Sequence, residues 1–374
     1  MKIRSSRISV SIVRAILRRC STASKRSLLR TIISFFAFFK LLLARYRPLD
    51  FVALRQDVWE LNEDEYADSF RASPPPSEET PLLQSSSSSR TKRSKKEAVA
   101  QLVPAGDLGY SGSTFFTTPN AKYLIKSLPR RFEHDFFARE LLDPYAAHMR
   151  RRPHSLLVRI TDLVYAPHAS LGGMLGTAPT HHIVMENLLF GRDLEPTELE
   201  KRRWETYDLK PSDYFFPERD IAGGMLAPDS VLDRLIDEFP GNVRVSHQHK
   251  RQLMALLEAD SQLLADHNAV DYSLFLVRHP GPNSIPARPA PAPVVRSNAG
   301  EWRTGVDDVD GLWTYRAVVL DFFWAKHTLH ARSMTGVVKL FNKVAHKGPM
   351  TITAEPDEYR KRFLGMVEEM VVGV

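Results

Sequence analysis

The chain has 374 residues and a mass of 42.5 kDa, with 43% hydrophobic and 25% charged residues, which excludes both a peptide-sized module and a wholly disordered polymer. Its single cysteine, Cys20, rules out an internal disulfide framework and a cysteine-built zinc cage. The net charge of +7 is uneven: residues 1–50 carry twelve Lys/Arg against one acid, Asp50, which leaves the remainder at −4 and gives no general basic surface for nucleic acid.

Residues 1–27 are rich in Arg and Ser, and residues 31–44, TIISFFAFFKLLLA, form an apolar run broken by Lys40. Fourteen helical residues rise about 21 Å, short of a roughly 30 Å hydrocarbon core. Residues 1–50 therefore read as a segment anchoring the protein to a cytoplasmic membrane face. A mitochondrial presequence is the rival, because the stretch is almost free of acids. Residues 51–98 read as a linker. Between 72 and 97 it holds three consecutive prolines, five consecutive serines and the basic cluster Arg90, Lys92, Arg93, Lys95 and Lys96, too polar to offset its ordering entropy.

The globular part runs over 99–374. Residues 101–128 alternate short apolar runs with turn residues, which predicts hairpin strands. Residues 132–151 show helical spacing through Phe136, Phe137, Leu141, Leu142 and Tyr145, with Pro144 as a bend or break. Strands are predicted at 155–165 and 181–190, and a helix at 247–267 with Leu253, Leu256, Leu257, Leu263 and Leu264 on one stripe. Two buried strands, 270–278 and 314–322, flank a Pro/Ala insert at 281–293, and a helix at 356–372 closes the chain. The order gives an α+β fold of two lobes, about 99–195 and about 196–374.

Four features carry chemistry. Gly109-Tyr110-Ser111-Gly112-Ser113 lies between two predicted strands, where a glycine-rich turn lets backbone N–H groups approach phosphate oxygens; most such turns are ordinary hairpins. Lys126 ends the next strand, placed for a cation reaching nucleotide phosphates and itself held by an acid of the following helix, Glu133 or, preferred, Asp135. Asp271 and Asp321 each stand beside an apolar strand. One acid there is a cap; two, after a glycine loop and a lysine, make a phosphoryl-transfer set in which one orients the attacking hydroxyl and the other holds Mg²⁺. The histidines, including His181 and His182, form no convincing metal set, since neighbours on a strand face opposite sides.

From Ala105 to Met370 the chain resembles the phosphatidylinositol phosphate kinase family. Residues 109–116 resemble its nucleotide loop, Tyr123-Leu124-Ile125-Lys126 its ATP-lysine strand, and Val184-Met185-Glu186-Asn187 its adenine hinge. Tyr207-Asp208-Leu209-Lys210-Pro211-Ser212 resembles the Asp-Leu-Lys-Gly-Ser signature, residues 270–276 the Met-Asp-Tyr-Ser-Leu-Leu motif, residues 318–321 the Ile-Ile-Asp metal motif, and residues 358–363 the closing helix. The resemblance implies a two-lobed lipid kinase using ATP and Mg²⁺ on a phosphatidylinositol monophosphate. Gly109, Ser111, Gly112, Ser113, Lys126, Met185, Glu186 and Asn187 would contact nucleotide. Asp271, Lys210 and Asp208 would be catalytic, and Asp321 would be the metal ligand. The motifs at 184–192 and 358–363 look most like phosphatidylinositol 3-phosphate 5-kinases, while 4-phosphate 5-kinase is the general family label. Pro211 stands where the signature has Gly, Tyr110 where a Lys is common, and residues 324–335 lack an adjacent lysine pair. These departures keep open a phosphoinositide-binding pseudokinase as the alternative.

Overall fold

In the computed structural model, the described residues are 2–18, 39, 41–71, 101–105, 113–192, 195, 197–211, 239–284, 300–325 and 355–374. The chain starts with α1 (Lys2–Leu17) and strand β1 (Ala44–Arg45), then α2 (Pro48–Ala53), which runs into a wide π turn over Leu54–Val58, and α3 (Glu63–Asp68). Strands β2 (Val103–Pro104), β3 (Phe115–Thr117) and β4 (Tyr123–Ser127) precede α4 (Arg131–Phe136) and α5 (Leu142–Arg151). Strand β5 (Ile160–Tyr165), the short α6 (Leu171–Met174) and β6 (His181–Glu186) complete an antiparallel six-stranded sheet in the order β1-β5-β6-β4-β3-β2.

Two expectations about the first hundred residues change. Residues 51–71 are not linker: Phe51, Leu54, Val58 and Trp59 lie in the main hydrophobic core. A buried polar knot holds them there. Asp162 of β5 accepts from Arg45 Nε at 2.8 Å, from Arg55 at 3.2 Å and from the Tyr66 hydroxyl at 2.9 Å. Nor is α1 a detached anchor. Its Ile8, Ile12 and Ile16 recur every four residues and pack on Phe116, Tyr123, Ile125, Val164 and Val184, one face of the six-stranded sheet. Burying each such side chain stabilises the fold by roughly 2 kcal/mol. Among the described residues no helix is long and apolar enough to cross a membrane. The apolar run at 31–44 and the linker at 72–97 fall largely or wholly outside the described residues.

Pro144 does not break the predicted helix at 132–151. Between α4 and α5 the chain makes a π turn over Phe137–Leu141, and the helix then continues through Pro144 to Arg151. Proline offers no N–H and crowds the preceding turn, and widening that turn accommodates both effects. Phe136, Phe137, Leu141, Leu142, Tyr145 and Met149 all reach the main core as their spacing requires.

The second lobe adds α7 (Glu198–Arg202), β7 (Glu205–Leu209), β8 (Val243–Val245) and the long α8 (His247–Asp266), which is capped where the His249 N–H donates to Ser246 Oγ at 3.2 Å. Next come β9 (Ala269–Val270), β10 (Ser273–Pro280), α9 (Glu301–Thr304), β11 (Val306–Asp307), β12 (Trp313–Leu320) and β13 (Trp324–Ala325). Helix α10 (Pro356–Met370) and β14 (Val371–Gly373) close the chain. The sheet order is β11-β12-β10-β7, with separate β9–β13 and β8–β14 pairs. Tyr359, Phe363 and Val367 of α10 form a buried stripe, and the Tyr359 hydroxyl donates to the Tyr272 carbonyl. The architecture is the expected α+β fold of two lobes.

Candidate active site

The hairpin of β10 and β12 runs in register to Ser273 opposite Leu320, and there it breaks. Pairing resumes between β9 and β13, with Val270 opposite Trp324, after two unpaired positions on one side and three on the other. Asp271 and Asp321 occupy the two sides of this break, and both adopt left-handed backbone, with φ of 68° and 61°. Left-handed geometry at a non-glycine residue costs on the order of 1 kcal/mol or more and is tolerated best by Asp and Asn. The flanking apolar strands hold both residues there: Val270, Tyr272, Leu274, Val319 and Phe322 are all buried.

Two lysines converge on these acids. Lys210 follows β7, whose Leu209 pairs with Leu274 of β10, and its Nζ donates to Asp271 Oδ1 at 2.9 Å. Lys126 comes from the other lobe: it stands on β4 opposite Ile183 and Phe115, and its Nζ donates to Asp321 Oδ1. A contact between residues 195 positions apart thus closes the cleft between the lobes. The expected partner Asp135 is replaced by Asp321, because Asp135 faces outward to Arg131, His134 and Arg139. Glu133 is the acid of that helix turned toward Lys126; its carboxyl is raised mainly by burial, against the lowering effect of Arg130 and Lys126.

Electrostatics distinguish Asp321 from Asp208. Burial alone would raise Asp321, but Lys126 and Lys210 outweigh it and hold the carboxyl below its usual range. Asp208 keeps accessible surface, yet the protein around it strips enough water to raise its carboxyl, with Asp321 adding repulsion and Lys210 opposing. For Lys210, burial lowers the ammonium's affinity for its proton, and Asp271, Asp208 and Asp321 together reverse this and raise it. One carboxyl is thus firmly ionised beside one that gains a proton more easily, a separation that suits distinct chemical roles.

Among the described residues no cluster of three His, Cys, Asp or Glu side chains forms a closed metal cage. A nucleotide-bound Mg²⁺ does not need one: it takes one or two carboxylates and completes its shell with phosphate oxygens and water. An ionised, part-accessible Asp321 is such a hard-oxygen donor and fits that ion.

Of the other expected nucleotide residues, Gly109, Ser111 and Gly112 lie outside the described residues. Ser113 is buried where the loop enters β3, next to Thr114, whose N–H and hydroxyl reach Ser127 Oγ at 2.7 and 3.1 Å. Met185 is buried on β6 opposite Leu124 and shares the sheet face of Lys126. The Glu186 carboxylate turns into the protein interior, where it accepts from the Arg159 N–H at 2.9 Å and from the Arg303 guanidinium. Asn187 donates to the Ala121 carbonyl at 2.8 Å and accepts from the Leu189 N–H at 3.1 Å. Sequence reasoning missed Arg303 and Arg316, which stand behind this hinge. An arginine inside the apolar run 314–322 was the available signal for Arg316; the polar stretch around Arg303 offered none.

The family model described as Phosphatidylinositol-4-phosphate 5-Kinase matches residues 95–291, just over half of the chain. The chain belongs to the phosphatidylinositol-4-phosphate 5-kinase family. The match covers Lys126, the hinge, Lys210 and Asp271; Asp321 lies beyond it and joins the site through the register of β12. A phosphatidylinositol 4-phosphate 5-kinase of Plasmodium falciparum is 30% identical over 173 residues, 46% of this chain and 9% of that protein. The phosphatidylinositol 4-phosphate 5-kinase type-1 beta of Gallus gallus is 28% identical over 182 residues, 48% of this chain and 30% of that protein. The aligned part of this family member thus spans less than a third of either relative.

Proposed function

We propose that the protein is an ATP-dependent phosphotransferase that phosphorylates the inositol headgroup of a phosphatidylinositol monophosphate. The observation that carries this reading is the pair of lysine–aspartate contacts, Lys126–Asp321 and Lys210–Asp271, gathered at one break in the β10–β12 hairpin. A binding module has no need of two strained acids, each matched by a buried cation.

Lys126 would bind the nucleotide phosphates from the first lobe. Asp321 would hold Mg²⁺, which when bound neutralises charge on the phosphate oxygens, and Asp208 would support the catalytic pair Lys210 and Asp271. Asp271 would orient the attacking inositol hydroxyl and accept its proton. Lys210, kept protonated by its three acidic neighbours, would stabilise negative charge on the phosphoryl group in transfer. Gathering both reactants in one cleft supplies the alignment on which phosphoryl transfer depends.

The exposed side of α1 supports a reading of the surface at which it works. With Ile8, Ile12 and Ile16 consumed by the sheet, the helix presents Arg4, Arg7 and Arg14, and just beyond it Arg18, on its exposed side. This row supports docking on an anionic cytoplasmic membrane face by charge rather than by insertion.

The deciding experiment is turnover of radiolabelled ATP on a panel of phosphatidylinositol monophosphates with product isomers separated, run beside peptide substrates. Phosphorylated inositol lipid is the expected product. Phosphopeptide, or nucleotide binding with no turnover, would replace the reading with a protein kinase or with a phosphoinositide-binding pseudokinase.

A further inference from the structure

The hinge between the lobes is gripped from below by two buried arginines of the second lobe. Arg303 sits in α9, at the end of the insert that separates β10 from β12. Gly300 and Gly305 bracket this one-turn helix with φ of 72° and 144°, backbone that an L side chain would strain. A Cβ at Gly305 would come within 2.9 Å of the Thr314 methyl. Trp302 Nε1 donates to the His249 carbonyl at 2.9 Å, which pins α9 to the start of α8. So held, Arg303 reaches inward: one nitrogen meets the Glu186 carboxylate, and another donates to the carbonyls of Ser155 and, at 3.0 Å, Leu157. Arg303 and Glu186 are almost wholly buried.

Arg316 acts from β12, five residues before Asp321. Its Nη1 donates to the carbonyls of Leu188 and Phe190, each at 3.0 Å, and its guanidinium lies over the Trp204 ring. Burying a guanidinium is costly unless its bonds are well made, so a pair of them aimed at Glu186, Leu188 and Phe190, three alternate residues at the end of the hinge, is a specific arrangement.

We propose that Arg303 and Arg316 clamp residues 186–190, and that Glu186 serves the nucleotide site as a positioning residue held by Arg303 rather than as a contact to adenine. The clamp fixes the depth of the hinge relative to Asp321, because Arg316 and Asp321 belong to one strand and its end. It also ties the hinge to the insert: a displacement of α9 is felt at the adenine end of the cleft. The proposal rests on the nucleotide-site reading given above.

The test compares the full chain with Arg303→Met, Arg303→Lys, Glu186→Gln and Arg316→Lys. The readouts are thermal stability, the Kd of a fluorescent ATP analogue, and KM and kcat with ATP and lipid varied separately. Arg303→Met and Glu186→Gln should each weaken ATP binding about tenfold, a size typical of a reactant displaced by a fraction of an ångström. The lipid KM and the saturating kcat should stay within about twofold. Arg303→Lys should recover part of the loss in ATP affinity, since it keeps the charge but not the fork. If Arg303→Met fails to fold, the isosteric Glu186→Gln and the conservative Arg316→Lys carry the test. Lowered stability with unchanged ATP Kd in the folded variants would overturn the clamp and leave a purely structural ion pair. Absence of nucleotide binding by the unaltered chain would instead overturn the nucleotide-site reading.

Discussion

Lys126 and Asp321 neutralise each other across the cleft, so changes at either have different expected consequences. Lys126→Ala should abolish turnover with the fold retained, because the side chain faces the cleft; undiminished activity in the purified variant would remove it from the site. Asp321→Asn should weaken Mg²⁺-dependent nucleotide binding, while Asp271→Asn should leave binding nearly intact and lower kcat. Equal effects on binding from both would contradict the separate roles. His182 makes a different test. It is fully buried on β6, and burial, with His181 adding to it, lowers its pKa to about 3. Neither ring nitrogen has a hydrogen-bond partner among the described residues. The native imidazole stays neutral while the unfolded one titrates near its ordinary value. Stability is therefore complete above about pH 6.5 and falls as the pH drops toward the folded value. Between pH 6.5 and 5 this one group contributes a loss of about 2 kcal/mol. His182→Leu should flatten the fall in denaturation midpoint over that interval; an unchanged slope would show that other groups dominate.

Helix α1 has a buried side and a charged side, and separate mutations can divide them. Its inward side closes the second hydrophobic core, and Ser9 Oγ accepts the Leu102 N–H at 2.7 Å, next to the strand that leads toward the expected nucleotide loop. Deleting residues 2–17 should uncover the sheet face and lower stability by several kcal/mol, taking roughly 2 kcal/mol for each of Ile8, Ile12 and Ile16. Replacing Arg4, Arg7, Arg14 and Arg18 by Gln should leave the melting temperature unchanged. It should reduce binding to phosphatidylserine-containing vesicles in a salt-sensitive way, as screening shortens from about 10 Å at 0.1 M to about 3 Å at 1 M. Unaltered vesicle binding by that variant would refute electrostatic docking through α1.

The lobes are joined by more than the hinge. The segment between α5 and β5 forms a parallel bridge from Leu157 to Val319, and Asp260 of α8 receives Ser155 Oγ at 2.7 Å, Leu156 N–H at 2.6 Å and His148 Nε2 at 2.6 Å. One buried carboxylate thus secures the first lobe's helix and its exit segment to the second lobe. Asp260→Ala should cost about 3–5 kcal/mol, because the groups it served stay buried without partners. The expected observation is a lower denaturant midpoint with unchanged slope, and a loss under about 1 kcal/mol would mean that water replaces the carboxylate.

Local pattern was enough for the elements that pay out on one face. The stripes of α8 and α10 and the strands at 123–127 and 313–320 are legible because period is a property of neighbouring residues, whereas the motif at 207–211 is legible only through its resemblance to the phosphatidylinositol phosphate kinase signature. The sequence by itself therefore determined the α+β class and the candidate site residues Lys126, Asp271 and Asp321. It did not determine their partners. Lys126 meets Asp321 rather than Asp135, Glu186 turns toward Arg303, and the arginine-rich start of the chain covers a sheet with its isoleucines. These are contacts over more than a hundred residues or between separate layers. Chain-local periodicity says which side of an element is apolar, whereas the packing of lobes decides what that side, and every buried charge beside it, will meet.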